Sequence, residues 1–355
     1  MLDGFLPDDG WNEWLVEIID WHFNEMTGSP YWLEKQKKLG INARRKINSL
    51  DDLEVSGCFD EKVLSEVDVR RLVPKGFSSQ HDIHVFETGG STFSPKRVID
   101  VSYRNTLAKW ESSCLDNYGF RYEANWLFIG PTGPHVIGYT VGLLASQRRS
   151  LCYYIDFDPR WIKRCLANGQ KQIANEYVGH IIDQSNQILK TQRIAYIFTT
   201  PKILEELINR IDFKEFDIQG VVCGGTEISS DTYNFLKKEY FSEIPFVIFY
   251  GNTLGGVAIQ HPSSASGESN LISYYPFSPY CNLAVVDPTN PFYIQPYNKL
   301  GRVRLTTLTK EMFIPNLLER DQAIRIPPAD RSCSDGIANV SPYEHSVEMC
   351  VQGVY

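Results

Sequence analysis

Along residues 11–26 the apolar positions Trp11, Trp14, Leu15, Ile18 and Ile19, with His22, recur at helical spacing. The pattern predicts an amphipathic helix with an aromatic stripe facing a core, and Asp9 is available as its N-cap. Further helices are expected over 31–39, closed by Gly40, and over 61–72, opened after Asp60. From residue 83 the period changes to short apolar runs alternating with helical segments, the pattern of an α/β body with a mainly parallel or mixed sheet. Strands are expected over 126–129, 151–155, 194–198, 220–223 and 246–250. Beyond about residue 260 the helical pattern fades, and segments such as 283–286 and 303–308 predict a smaller β-rich subdomain. The expected organisation is one continuous body: a helical part over 1–82, an α/β body over 83–260 and the β-rich part over 261–355.

Composition narrows the function classes. The 355 residues are 43% hydrophobic, 13% aromatic and 22% charged, which suits a globular chain with little disorder. A formal net charge of −8 disfavours a nucleic-acid scaffold, because phosphate backbones require a basic face. Neither a leader at the amino terminus nor a membrane-length apolar run is apparent, so a cytoplasmic protein is expected. The eight cysteines form no C-x-x-C pair and read as reduced, mostly buried thiols. Oligomeric state is not readable from the chain.

In open α/β sheets ligands collect at the carboxyl ends of strands, so the turns after the expected strands are where a site should be sought. They carry Gly130-Pro131-Thr132-Gly133-Pro134-His135, Asp156 to Pro159, Thr199-Thr200-Pro201, Gly224-Gly225-Thr226-Glu227 and Gly251-Asn252-Thr253. Ahead of them, Glu87 to Lys96 reads as a hairpin loop rich in glycine and hydroxyls and ending in lysine. Its glycines permit close backbone approach, Ser and Thr donate hydrogen bonds and Lys96 adds a positive charge, so the loop suits a phosphate. An ordinary polar hairpin is the plain alternative. It is neither a Walker loop nor a dinucleotide fingerprint, since Lys96 leads into a strand and no Gly-x-Gly-x-x-Gly opens a helix.

Thr88-Gly-Gly-Ser-Thr-Phe-Ser-Pro-Lys96, then Gly224-Gly225-Thr226-Glu227, Tyr250-Gly251-Asn252-Thr253 and Asp321, in that order, resembles the adenylate-forming superfamily of acyl-CoA synthetases, peptide-synthetase adenylation domains and luciferases. Ser29-Pro30-Tyr31-Trp32 and Leu305 to Glu311 are similar to the phenylacetate-CoA ligase-like branch. The resemblance implies the large α/β domain of such an enzyme and ATP-dependent formation of an acyl-AMP. It implies that Thr88, Gly90, Ser91, Thr92 and Lys96 hold the β- and γ-phosphates and that Gly224, Gly225 and Thr226 border the adenine. It further implies that Tyr250 stacks on the base, Gly251 and Asn252 complete that wall, Thr253 touches the α-phosphate and Asp321 accepts the ribose hydroxyls. Arg331 falls near the position of a ribose-approaching arginine. Gly130, His135 and Gly251 fall where the acyl substrate is bordered, and Lys96, His135 and Thr253 are the candidate catalytic residues. The plain alternatives are Asp321 pairing with Arg320 or Arg325, a core Tyr250, glycine turns without a ligand and a structural His135.

Three departures from the family pattern stand out. Phe93 replaces a loop glycine. Leu254 replaces the usual magnesium-ligating glutamate, leaving Mg²⁺ to be carried by ATP or held by Glu227. The chain stops at Val351 to Tyr355, where the family's hinge begins, so the resemblance implies an adenylating large domain without the lysine-bearing lid, and conversion to a CoA thioester is not expected. Truncated relatives in phenazine tailoring are similar, which implies an aromatic acid such as phenazine-1,6-dicarboxylate, activated for reduction by a partner reductase. The other expectations left open are a non-catalytic binding or delivery protein and an acyltransferase.

Overall fold

The computed structural model describes residues 8–77, 81–88, 95–262, 271–329 and 334–343. The stripe of aromatic residues near the amino terminus forms helix α1 (Asp8–Phe23), which starts one residue before Asp9, so Asp9 lies inside the first turn rather than capping it. Helix α2 (Pro30–Leu39) is capped by Ser29, whose Oγ accepts from Trp32 N, and ends on Gly40 at φ 64°, the left-handed conformation glycine tolerates. A short α3 (Ala43–Lys46) follows. The helix expected over 61–72 is broken instead: α4 covers only Val63–Glu66, Val67 turns extended, and Asp68 caps a separate 3₁₀ turn over Val69–Arg71 through its side chain. Local capping by Asp68 competes with helix continuation there.

Strands β1 (His84–Glu87) and β2 (Arg97–Asp100) pair antiparallel as an isolated hairpin. The chain continues through α5 (Tyr103–Asp116), β3 (Trp126–Gly130), α6 (Val136–Gln147), β4 (Cys152–Asp156), α7 (Pro159–Ala167), α8 (Lys171–Thr191), β5 (Tyr196–Thr199), α9 (Pro201–Arg210), β6 (Gly220–Gly224), α10 (Ser230–Glu239) and β7 (Phe246–Gly251). Strands β8 (Val257–Gln260), β9 (Ser273–Pro276), β10 (Cys281–Val286), β11 (Leu300–Leu308), β12 (Phe313–Ile326) and β13 (Gly336–Pro342) complete it.

The strands from β3 onwards join in one eleven-stranded sheet of order β10-β11-β12-β13-β9-β8-β7-β6-β5-β3-β4. Pairing is parallel from β4 to β7 and antiparallel from β7 to β10. The β-rich part therefore continues the same sheet through the β7–β8 hairpin. Parallel strands buried on both faces read as continuous apolar runs, and the two faces here are sorted by residue type. Leu127, Ile129, Ile197, Val221, Cys223 and Ile248 face one core, with residues of α7, α8 and α9. Trp126, Phe128, Tyr196, Phe198, Val247 and Phe249 face the other, beneath α5 and α6.

The N-terminal helices close on the far end of the chain. Leu15, Ile18, Ile19, Phe23 and Trp32 bury against Leu308 and Phe313. Trp14 Nε1 and Trp21 Nε1 donate to the carbonyls of Leu308 and Lys310, each at 2.9 Å. His22 Nε2 lies 2.8 Å from Thr309 O, and complete burial lowers its pKa to about 4, so it is a neutral core histidine. None of the six cysteines among the described residues is in a disulfide, and Cys58 is exposed rather than buried. None of the described helices is long and apolar enough to cross a membrane.

Candidate active site

A cleft of about 510 Å³ opens where the carboxyl ends of β3, β5, β6 and β7 meet the antiparallel half of the sheet. Its walls include Thr88 and Lys96, His135, Gly224 and Gly225, the turn from Tyr250 to Leu254, and Leu318 to Asp321 on β12. Of the expected phosphate loop, Gly90, Ser91, Thr92 and Phe93 lie outside the described residues, as does Arg331. The two ends of that loop are described, and they clasp each other. Thr88 N donates to Lys96 O at 3.0 Å, and Lys96 N to Thr88 Oγ1 at 3.1 Å. Glu87 N donates to Pro134 O at 2.7 Å, which ties the base of the loop to the turn that carries His135.

Lys96 is largely covered rather than freely exposed, and its Nζ is ion-paired with Glu61. Arg320 reaches the same carboxylate, 3.4 Å from Oε1. Burial works to raise the Glu61 pKa, but Lys96 and then Arg320 outweigh it and hold the group below its ordinary value. Glu61 and Arg320 were not anticipated. Nothing in the local pattern around Glu61 signals it, because its contact is made across 35 residues.

The turn after β7 is fixed from several sides. Arg104 Nη2 donates to Thr253 O and Tyr103 Oη to Gly255 O, each at 3.0 Å, while Thr307 Oγ1 donates to Leu254 O at 3.0 Å. A Cβ on Gly251 would stand 2.6 Å from Gly256 O, so the tight return of the hairpin requires glycine. Leu254, where a metal-ligating glutamate was the family expectation, is buried and belongs to the core. Asn252 Nδ2 donates to Glu319 at 2.5 Å, and Tyr250 Oη to Asp321 Oδ2 at 2.8 Å.

Glu319 and Asp321, two residues apart on β12, share one face of the strand by its two-residue period. That spacing, visible in the sequence, marks Glu319 as a second carboxylate beside Asp321. Burial, and then the charge of Asp321, raises Glu319 to about 7. Burial also raises Asp321, offset by the Tyr250 hydroxyl and Arg320, and burial drives the Tyr250 hydroxyl well above its usual range.

His135 precedes α6 and lines the cleft, 7% exposed, and its Nε2 has no hydrogen-bond partner among the described residues. Burial and the nearby Arg160 lower its pKa, so the imidazole is neutral near pH 7. Gly130 is buried beneath the cleft rather than on its lining, where a Cβ would meet the Phe128 ring at 2.7 Å. On the wall formed by the β6 turn, Gly224 and Gly225 line the cleft, and Gly225 takes φ 86°. The Thr226 Oγ1 beside them is buried without a partner among the described residues. Glu227 is an exposed residue off the lining, its carboxyl raised by partial burial and then by Asp321.

The chemistry of these residues fits a nucleoside triphosphate: side-chain-free glycines form one wall, two carboxylates can accept hydroxyls, and a lysine and an arginine can neutralise phosphates. Among the described residues no group of three or more His, Cys, Asp or Glu could hold a metal ion. The lining also includes the apolar Val136, Ile137, Val141, Phe198, Phe249 and Val257, and adds Arg104 and Glu111 from α5, neither of which was anticipated. Both sit in a helix with no recognisable motif.

No protein-family model matches the chain, and no curated protein matches it. Solved structures do. 2-Hydroxyisobutyryl-CoA ligase in an open conformation, in complex with 2-HIB-AMP and CoA, is similar with TM-score 0.70 and 12% identity, over 94% of this chain and 75% of that one. The same ligase in the postadenylation state, in complex with R3-HIB-AMP, is similar with TM-score 0.69 and 12% identity, over 94% of this chain and 68% of that one. The mixed α/β architecture with its large sheet is therefore the fold of the N-terminal domain of adenylate-forming enzymes.

Proposed function

We propose that the chain activates a carboxylic acid by ATP-dependent adenylation. The observation that carries this reading is the convergence, in one cleft, of the phosphate-loop ends at Thr88 and Lys96, the Gly224-Gly225 wall, the Tyr250 to Thr253 turn and Asp321. An acid carboxylate is a poor electrophile. Its oxygen attacks the α-phosphorus of ATP, the bond to the bridging β-phosphate oxygen breaks, pyrophosphate leaves, and the mixed anhydride with AMP now carries a good leaving group. In this reading Lys96 and Arg320 hold the β- and γ-phosphates after exchanging Glu61 for them. Asp321 and Glu319 accept the ribose hydroxyls, and Tyr250 and the two glycines border the base. The neutral His135, with its unclaimed Nε2, faces the acid carboxylate. Mg²⁺ arrives with the nucleotide. The likeness to a ligase bound to an acyl-AMP supports the reaction class.

For the acid we propose an aromatic one, supported by the Phe198 and Phe249 rings of the lining, with phenazine-1,6-dicarboxylate as the specific candidate and the acyl-AMP passed to a partner reductase that forms an aldehyde. Pyrophosphate exchange across a panel of aromatic acids tests this. Exchange with at least one acid, lost in Asp321→Ala, is the expected result; no exchange with any acid, with or without candidate reductases, overturns it. A second reading, binding and delivery without turnover, is favoured by the ion pair that occupies Lys96 and by the core position of Leu254. It predicts calorimetric binding of acid and nucleotide with no AMP released.

A further inference from the structure

Helix α5 presents Arg104, Leu107 and Glu111 to the cleft, positions separated by three and four residues that share one helical face. Arg104 anchors the near end by its bond to Thr253 O. Glu111 lies seven residues on, about 10 Å further along the axis at 1.5 Å per residue, and so well away from the turn assigned to the α-phosphate. Among the residues that line the cleft with it, Leu107, Val141, Phe198 and Phe249 contribute no polar side-chain atom. Of the α6 residues that line the cleft, Thr140 carries the hydroxyl, and its Oγ1 is already donated to Val136 O at 3.0 Å.

Glu111 is 4% exposed, and no described residue forms a hydrogen bond with its carboxyl or an ion pair within 4 Å. A buried carboxyl facing apolar walls without a partner is costly, and native structures rarely retain one without a use.

Resting on the adenylation reading and not on the phenazine candidate, which carries no hydroxyl or amino group, we infer that Glu111 determines specificity by binding a neutral hydrogen-bond donor on the acid, a hydroxyl or aromatic amino group set away from its carboxylate. The acyl arm is then built for a substituted acid and not for a plain hydrocarbon one. Burial raises the Glu111 pKa to about 8, offset in part by Arg104, so near neutral pH the carboxyl is largely protonated. In that state it offers both an O–H donor and a carbonyl acceptor, the complement of a hydroxyl or an arylamine. Arg104 on the same face disfavours a cationic ammonium.

The test is calorimetric titration of the full chain, saturated with AMP, with benzoate and its ring-hydroxylated and ring-aminated derivatives, for wild type, Glu111→Leu and Glu111→Gln. A site built around a polar partner discriminates strongly against the analogue lacking it. Wild type is expected to prefer at least one substituted acid over benzoate by about tenfold or more, Glu111→Leu to reduce that ratio to within about twofold, and Glu111→Gln to keep part of it. Thermal melts are expected to show both variants folded and at least as stable as wild type, since an uncompensated buried carboxyl has been removed. Equal affinities in wild type, binding of none of the acids, a preference that survives Glu111→Leu, or variants that melt lower than wild type would each overturn the inference. Pyrophosphate exchange is read separately. Its absence with discrimination intact fells the adenylation reading and leaves Glu111 as a binding determinant.

Discussion

The two ends of the cleft treat their polar groups in opposite ways. At the end we assign to the nucleotide each carboxylate already has a donor inside the protein: Glu61 has Lys96 and Arg320, Glu319 has Asn252, and Asp321 has Tyr250. At the acyl end the Arg104 guanidinium has no carboxylate within 4 Å among the described residues, and Glu111 has no partner there. A ligand at the first end replaces internal bonds with its own, and exchange of that kind yields a modest net gain for each contact. At the second end a ligand satisfies a Glu111 carboxyl that has no hydrogen bond from the described residues, so the wrong ligand is penalised by the desolvation of that unmet group. On the proposed function, affinity for nucleotide and selection among acids are thus separable properties of one cavity.

The largest effect is expected for Asp321→Ala. Removing a carboxylate that accepts two ribose hydroxyls costs about 3 kcal/mol, roughly a hundredfold in AMP or ATP affinity. Calorimetry that finds less than a threefold loss takes Asp321 out of the nucleotide site and erases the contrast between the two ends.

Next in size is the pH dependence of Glu111. Its pKa is raised from the usual carboxylate range to about 8. The folded protein therefore keeps a proton that the unfolded chain loses near pH 4.5, and its relative stability is greatest below that pH and declines as pH rises towards 8. Glu111→Gln removes this dependence. Between pH 5 and 7 the variant is expected to gain on wild type by about 2 kcal/mol in denaturant melts. A difference that stays flat with pH means that Glu111 is paired and charged, which would make the acyl end resemble the nucleotide end.

Lys96→Ala is expected to weaken ATP by about tenfold, or ~1.4 kcal/mol, and AMP by less than twofold, because AMP lacks the two phosphates assigned to this lysine. Equal losses for both nucleotides would move Lys96 away from the β- and γ-phosphates.

Much of this geometry was legible in the chain. The short apolar runs located the parallel strands within two residues, because strands buried on both faces carry a continuous signal. The turns after β3, β6 and β7 do converge on the cleft, for the general reason that strand ends in an open sheet face one edge. What escaped the sequence is what depends on distant contacts. Asp68 broke the helix expected over 61–72 by capping its own 3₁₀ turn. Glu61 reaches Lys96 across 35 residues and Arg320 across 259, and neither pairing leaves a local trace. Glu111 and Arg104 have the same helical spacing as any buried stripe, so only the cavity beside them distinguishes them from core. Glu319 was missed as well, although alternation along β12 places it beside Asp321.

The smallest effect sharpens the comparison most finely. Tyr250→Phe keeps the ring on the cleft wall and deletes only the hydroxyl that donates to Asp321 at 2.8 Å. If bonds at the nucleotide end are exchanged on binding, the variant lowers the cost of freeing Asp321 and loses nothing that the ribose does not replace. Nucleotide affinity is then expected to stay within about threefold of wild type, in the direction of tighter binding, while the free protein loses about 0.5–1 kcal/mol of stability in denaturant melts. Affinity that falls tenfold instead would show that the hydroxyl remains on Asp321 in the complex and aims the carboxylate. The nucleotide end would then be a preformed socket, and the difference between the two ends would lie in their ligands alone.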